Sequence, residues 1–133
     1  MQIKLKGYHK GTQKEIDHKE VLRLMYNAAC DVWPENLAVY DVVPFINMKD
    51  STGKELFEGD ILEGFSHVLK DPCNEIKAGK EPEFIDERYV CSVIFKDGEF
   101  KLYRKDQNHI FGIHFASRSK VIGNIYQNKD LLI

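Results

Sequence analysis

Cysteine is scarce and unsuited to cross-linking. The chain of 133 residues has three, Cys30, Cys73 and Cys91, an odd number with no Cys-x-x-Cys spacing. Such a set supports neither a disulfide framework nor a zinc ribbon, and it reads as buried thiols in a reducing compartment. Long apolar runs are lacking too. No stretch approaches the ~20 residues that a membrane-spanning helix needs, so no membrane partner is expected. Lys4, Lys6 and Lys10 interrupt the start of the chain, where a secretory leader would need an unbroken apolar segment. A cytoplasmic location is the expectation. Charge of one sign is not in excess: the formal net charge is -2. That balance argues against a uniformly basic nucleic-acid coat and against a polyanion mimic. Also missing are a Gly-x-Ser-x-Gly elbow, a Gly-rich phosphate loop and a dinucleotide fingerprint. His109 and His114 fall on opposite faces if they share one strand, and His9, His18 and His67 have no partner at metal-ligand spacing. Neither a metal nor a cofactor is expected.

What is present is ordinary globular material, 43% hydrophobic and 30% charged, enough for a single domain over residues 1–133. Residues 1–40 read as a strand and a helix. "QIKLKGY" alternates apolar and polar residues, as a half-buried strand does. In 17–33, Val21, Leu22, Met25, Ala28, Ala29 and Val32 recur at helical spacing. Asp17 stands at the N-cap with Glu20 three residues on, as in a capping box. Residues 41–133 read as a barrel-like core. Strands are expected over 37–46, 56–65, 88–104, 109–115 and 120–126. Pro44 is expected at an edge, a strand end or a bulge. Asp97-Gly98 is the turn of the clearest hairpin. Residues 66–88 are polar and read as a long loop. From Glu63 to Arg88 there are seven acidic and four basic residues, and from Lys96 onward seven basic and four acidic. The fold class expected is mainly β, α+β by content: a small antiparallel β-barrel with one N-terminal amphipathic helix.

Two groups of residues invite a chemical reading. Glu58 and Asp60 flank Gly59, and on one strand they would share a face and could share a proton or hold a hard cation. The same alternation would place Phe57 and Ile61 toward the core, Gly59 at a bend, and Asp60 on a backbone N–H at that bend. Structural use of the carboxylates is therefore favoured, and no catalytic residue is assigned. The second group is Lys101, Tyr103 and Lys105, alternating on one hairpin arm, with Arg104 beside them. Lysines plus an aromatic ring on a strand can grip nucleic acid through phosphate contacts and stacking. A solvated strand face explains the same pattern.

Four blocks in order carry a resemblance: Ile3-Lys4, "KDSTGKELFEGDI" (49–61), "VIFKDGEF" (93–100) and "IGNIYQN" (122–128). The set resembles the YopX-like family of phage and prophage proteins. Two places depart from that pattern, Phe45-Ile46-Asn47-Met48 ahead of the second block and Gly7-Tyr8 near the first. The resemblance implies a mainly β fold with a small barrel and an origin in mobile elements. It brings no catalytic residues with it. Its shared positions, among them Gly53, Glu58, Gly59, Asp60, Asp97, Gly98, Gly123 and Asn124, are types that turns and packing ask for. The expected function is a phage or prophage accessory protein acting as a non-catalytic binding module, its partner a protein or a nucleic acid. A self-assembling homo-oligomeric subunit is the alternative. An enzyme using Glu58, Asp60 and a divalent metal comes last.

Overall fold

The structure is a computed structural model, and it describes residues 3–29, 39–69 and 84–132. The elements are β1 (Leu5–His9), β2 (Glu15–Ile16), α1 (His18–Ala29), β3 (Tyr40–Lys49), β4 (Glu55–Phe57), β5 (Asp60–Leu69), β6 (Phe84–Lys96), β7 (Glu99–Arg104), β8 (His109–Gly112) and β9 (Lys120–Asn124). They form two antiparallel sheets, ordered β2-β1-β3-β4 and β8-β7-β6-β5-β9. The fold is mostly β with one main helix, as the sequence predicts, and the barrel takes the form of a curled half-barrel.

Two apolar clusters explain the strand patterns. One gathers Ile46, Leu56, Leu62, Tyr89, Cys91, Val93, Leu102 and Ala116. The other gathers Tyr8, Val43, Phe45 and Phe57, with Tyr126 packed on it. β3 and β4 serve both: Phe45 faces one cluster and Ile46 the other, as do Phe57 and Leu56. A strand buried on both faces is apolar on both faces, which blurs alternation. Pro44 falls at the ends of two ladders. It lies opposite Leu5, the first residue of β1, and pairing with β4 begins only at Phe45.

The helix differs from its expected face. Val21 and Leu24 are the buried pair, while Leu22 and Met25 are exposed. Asp17 does cap it: its Oδ1 accepts from the Glu20 N–H at 2.9 Å. Glu20 does not reach back to complete a capping box; its carboxylate accepts from Arg23. Cys30 and Val32 lie outside the described residues.

Three further expectations are corrected. Residues 56–65 are not one strand, because the turn at Glu58-Gly59 divides β4 from β5. Phe57 and Ile61 are buried as expected, but so are Leu56 and Leu62, because a second core covers that face. Residues 109–115 are not all strand: β8 stops at Gly112, and Ile113–Arg118 is a 3-10 helix. Residues 66–69 and 84–88, expected as loop, are strand, since β5 runs to Leu69 and β6 starts at Phe84; Cys73 and residues 70–83 lie outside the described residues. The hairpin turn is as expected, with positive φ at Asp97 and Gly98.

Blocks that are far apart in sequence meet at the Glu58-Gly59 turn. The Gly59 N–H donates to the Val93 carbonyl at 2.9 Å, and the Ile125 N–H donates to the Gly59 carbonyl at 2.8 Å. Asn124 Oδ1 accepts from the Tyr126 and Gln127 N–H groups at 3.0 and 2.9 Å. This turn holds the Tyr126 ring stacked on Tyr8, with centroids 4.8 Å apart. The Glu58-Gly59 turn, the Val93 carbonyl of β6 and the turn after Asn124 thus meet at one point.

Candidate functional site

The β5–β6 ladder outruns its neighbours. β9 pairs with β5 only as far as Glu63, and β7 pairs with β6 only from Ser92 onward. β5 and β6 continue together past those points, through Phe65↔Arg88 to Leu69↔Phe84. Among the described residues this makes a two-stranded arm with both backbone edges open. An Arg88–Glu63 ion pair at 2.7 Å ties the strands together at its root. Large apolar side chains stand out along it: Phe65 is 62% exposed, Phe84 49% and Ile85 46%.

A cavity of about 230 Å³ opens at the base of the arm, lined by Ser66, Tyr89, Arg104, Gln107, His109, Phe111 and Phe115. Its walls are aromatic. His109 and Phe111 are nearly parallel, at 10° and 5.8 Å between centroids. Tyr89 meets Phe111 edge-on at 5.7 Å, and Phe115 meets it at 5.6 Å. Tyr89 pairs across the arm with Gly64. A Cβ at Gly64 would lie 2.4 Å from the Tyr89 ring, so only glycine leaves room for that wall.

Arg104 is the buried cation of this cavity. Its Nε donates to Asp106 Oδ1 at 2.8 Å, and its Nη2 donates to Asp106 Oδ2 at 3.1 Å and to Glu87 Oε1 at 3.5 Å. The hydrogen bond to Arg104 holds the Asp106 carboxyl below the usual value. The guanidinium lies 5.6 Å from the centre of the Tyr89 ring. The β7 alternation puts Arg104 on the inner face with Leu102, and both are buried.

The four residues singled out on that hairpin therefore separate. Lys101 and Tyr103 share the outer face of β7, Arg104 faces inward, and Lys105 opens an exposed 3-10 turn. Lys101 Nζ lies 3.3 Å from Glu99 and 4.0 Å from Asp97. Tyr103 donates its hydroxyl to Asn108 at 3.0 Å. The sequence pattern named Arg104 only as the neighbour of Lys101, Tyr103 and Lys105, and it missed the aromatic rings around it, which come from three elements. Gly64 inside an apolar strand was the one signal of a close approach there.

The carboxylates of the second block also separate. Glu58 lies in the turn, half-buried, while Asp60 opens β5 and is buried. Asp60 Oδ2 accepts from the Phe57 N–H at 2.9 Å, the bend-satisfying role that its position suggests. Burial pushes its carboxyl up to about 6, against the pull of that N–H and of Lys6 and Lys54. Burial likewise pushes the Cys91 thiol up to about 12, which leaves it protonated and unreactive near neutrality. Among the described residues no group of three His, Cys, Asp or Glu side chains could hold a metal ion. A larger cleft of about 700 Å³ lies beside the start of α1. Two ion pairs lie in its wall, Lys4 on Glu55 at 2.8 Å and Lys6 on Glu15 at 3.0 Å. No described helix is long and apolar enough to cross a membrane.

Comparison with known proteins adds a fold and a family. The crystal structure of protein EF1440 from Enterococcus faecalis superposes with a TM-score of 0.55 at 16% identity, covering 100% of this chain and 99% of that one. At that identity the likeness is one of fold. None of the curated proteins compared matches the chain. The family described as "YopX protein" matches residues 6–133, nearly the whole chain. That match spans all the blocks whose turns knot together at Gly59, and by it the chain belongs to the YopX family.

Proposed function

We propose that this chain is a phage- or prophage-encoded accessory protein that works as a non-catalytic binding module, and that the β5–β6 arm engages a protein partner. The observation that carries this reading is the concentration of exposed large apolar side chains on the arm, Phe65, Phe84 and Ile85. Removing such surface from water is favourable by about 25 cal/mol per Å². The open strand edges beside them offer main-chain pairing to an incoming segment. The mobile-element origin rests on the resemblance to phage and prophage proteins. A polyanion is less well served by the geometry. Lys101 is already flanked by two carboxylates, and so is Arg104.

Site-specific photocrosslinking in the native host tests the arm. A photoreactive phenylalanine analogue at position 84 should give adducts with another protein, and Phe65→Glu should abolish them. The same probe at position 26 on α1, where Tyr26 is also exposed, should give none of these adducts. Adducts between copies of this chain alone would replace the reading with a self-assembling subunit. Absence of adducts, with salt-sensitive oligonucleotide binding instead, would favour a nucleic-acid partner.

A further inference from the structure

We infer that the cavity at the base of the arm is a binding site for one keto-bearing nucleobase, guanine or thymine in type, offered as a nucleoside or as a base of a single strand. The inference stands apart from the identity of the arm's protein partner. It begins with a donor that no described protein group engages. Arg104 is only 9% exposed, and its Nε and Nη2 are engaged by Asp106 and Glu87. Its Nη1 has no acceptor among the described residues. In the free protein water serves such a donor at a cavity, and a ligand that brings its own acceptor displaces that water.

Shape narrows the ligand. The His109, Phe111, Tyr89 and Phe115 rings wall a space of about 230 Å³. Drug-sized ligands take roughly 300–1,000 Å³. One flat ring suits a smaller, aromatic-walled space, because every base has a face that stacks on aromatic side chains. Charge narrows it again. Asp106 and Glu87 neutralise Arg104 locally, so a phosphate gains little there. A neutral carbonyl oxygen still accepts from Nη1, as arginine donates to the keto edge of guanine. The Gln107 amide lines the same cavity from an exposed position and can read the rest of that edge.

Titration of the full chain with guanosine, thymidine and adenosine, followed by amide NMR signals, tests the site. Guanosine and thymidine should shift the Tyr89, His109 and Phe111 signals. Adenosine, which presents an amino group in place of the keto oxygen, should bind about tenfold more weakly. Affinity should change little between about 50 and 200 mM salt, unlike phosphate-driven binding. Short oligo(dT) binding more tightly than thymidine would identify a strand as the source, and equal affinity would identify the free base. His109→Ala removes a stacking ring from an exposed position and should weaken binding about fivefold or more. Arg104→Lys should erase the preference for keto bases. Because Arg104 also braces the arm, Gln107→Ala is the second probe of edge reading and should narrow the guanosine–adenosine gap. No shifted signals at millimolar nucleoside, equal affinity for adenosine, or a steep salt slope would overturn the inference.

Discussion

Asp50 and Asp60 are almost equally hidden, at 6% and 4% exposure, yet their carboxyls move in opposite directions. For Asp50, burial pushes upward, but the hydrogen bonds from Val121, Thr52 and Lys54 outweigh it, and the group ends below its usual value of 3.8. For Asp60, burial wins and the group rises to about 6. The difference is the number of donors together with depth: Asp60 lies deeper in the protein, so burial weighs more on its charge. Asp50 Oδ1 accepts from the Thr52 N–H, the Thr52 hydroxyl and the Lys54 N–H at 2.8, 2.7 and 2.9 Å, and its Oδ2 accepts from the Val121 N–H at 2.9 Å. Asp60 accepts from the Phe57 N–H alone among the described residues. Depth of burial and the donors brought to a carboxylate decide together whether its charge stabilises the fold. Asp50 is a joint, because its last donor belongs to β9. Asp60 is a tolerated charge beneath a turn.

The sharpest way to break this contrast is Asp50→Ala. It strips the acceptor from three backbone N–H groups and parts the 50–54 turn from β9. A loss of about 3–4 kcal/mol is expected in urea denaturation at pH 7.

The glycines of the two turns come next, since both have positive φ. Gly59 (φ 90°) is crowded, and an added Cβ would lie 2.6 Å from the Tyr126 ring. Gly53 (φ 87°) has nothing within 4 Å of that position. Gly59→Ala should cost about 3 kcal/mol, from strain plus displacement of Tyr126, and Gly53→Ala about 1 kcal/mol, from strain alone. Equal losses in thermal denaturation would show that the packing against Tyr126 is loose.

A gain rather than a loss is expected at Asp60. Its folded carboxyl binds a proton more tightly than its unfolded one. Stability therefore rises as pH falls from about 6 toward 3.8, and the charged form is a cost above that window. Asp50 has the opposite sign: its contribution is present above 3.8 and is lost as pH falls through its lowered value. Asp60→Asn keeps an acceptor for the Phe57 N–H. It should gain about 2 kcal/mol at pH 7, and most of that gain should be gone near pH 4. Urea denaturation at the two pH values measures the difference, and a gain independent of pH would show that Asp60 is not the titrating group.

Local signals were legible where local physics decides. Asp17 caps α1 because a short acceptor one residue before a helix has one place to go. Asp97-Gly98 turns because few residues accept positive φ in succession. The arm was illegible for the opposite reason. Strand reading from sequence relies on one buried face, and Phe84 to Arg88 are all exposed. With no inward face there is no alternation, so paired strands look like polar loop. The α1 face was misjudged because several apolar residues compete for it, and packing against the sheet chooses Val21 and Leu24. The cavity was not legible, since Arg104 was grouped with the lysines and Tyr103 of a strand face. Its walls come from β6, β8 and the 3-10 helix after β8, which spacing along one segment cannot connect.

By itself the sequence determined the mainly β class, the helix cap, the hairpin turn, the bend at Gly59 and the membership in the YopX family. Those follow from short-range sterics and hydrogen bonding, which act between residues a few positions apart. Only the tertiary structure decided that Asp50 would reach Val121, that β3 and β4 would face two cores, and that Arg104 would sit among aromatic rings at the foot of an arm. Those outcomes depend on contacts between distant segments, whose cost in chain entropy is met only when the whole sheet closes around them.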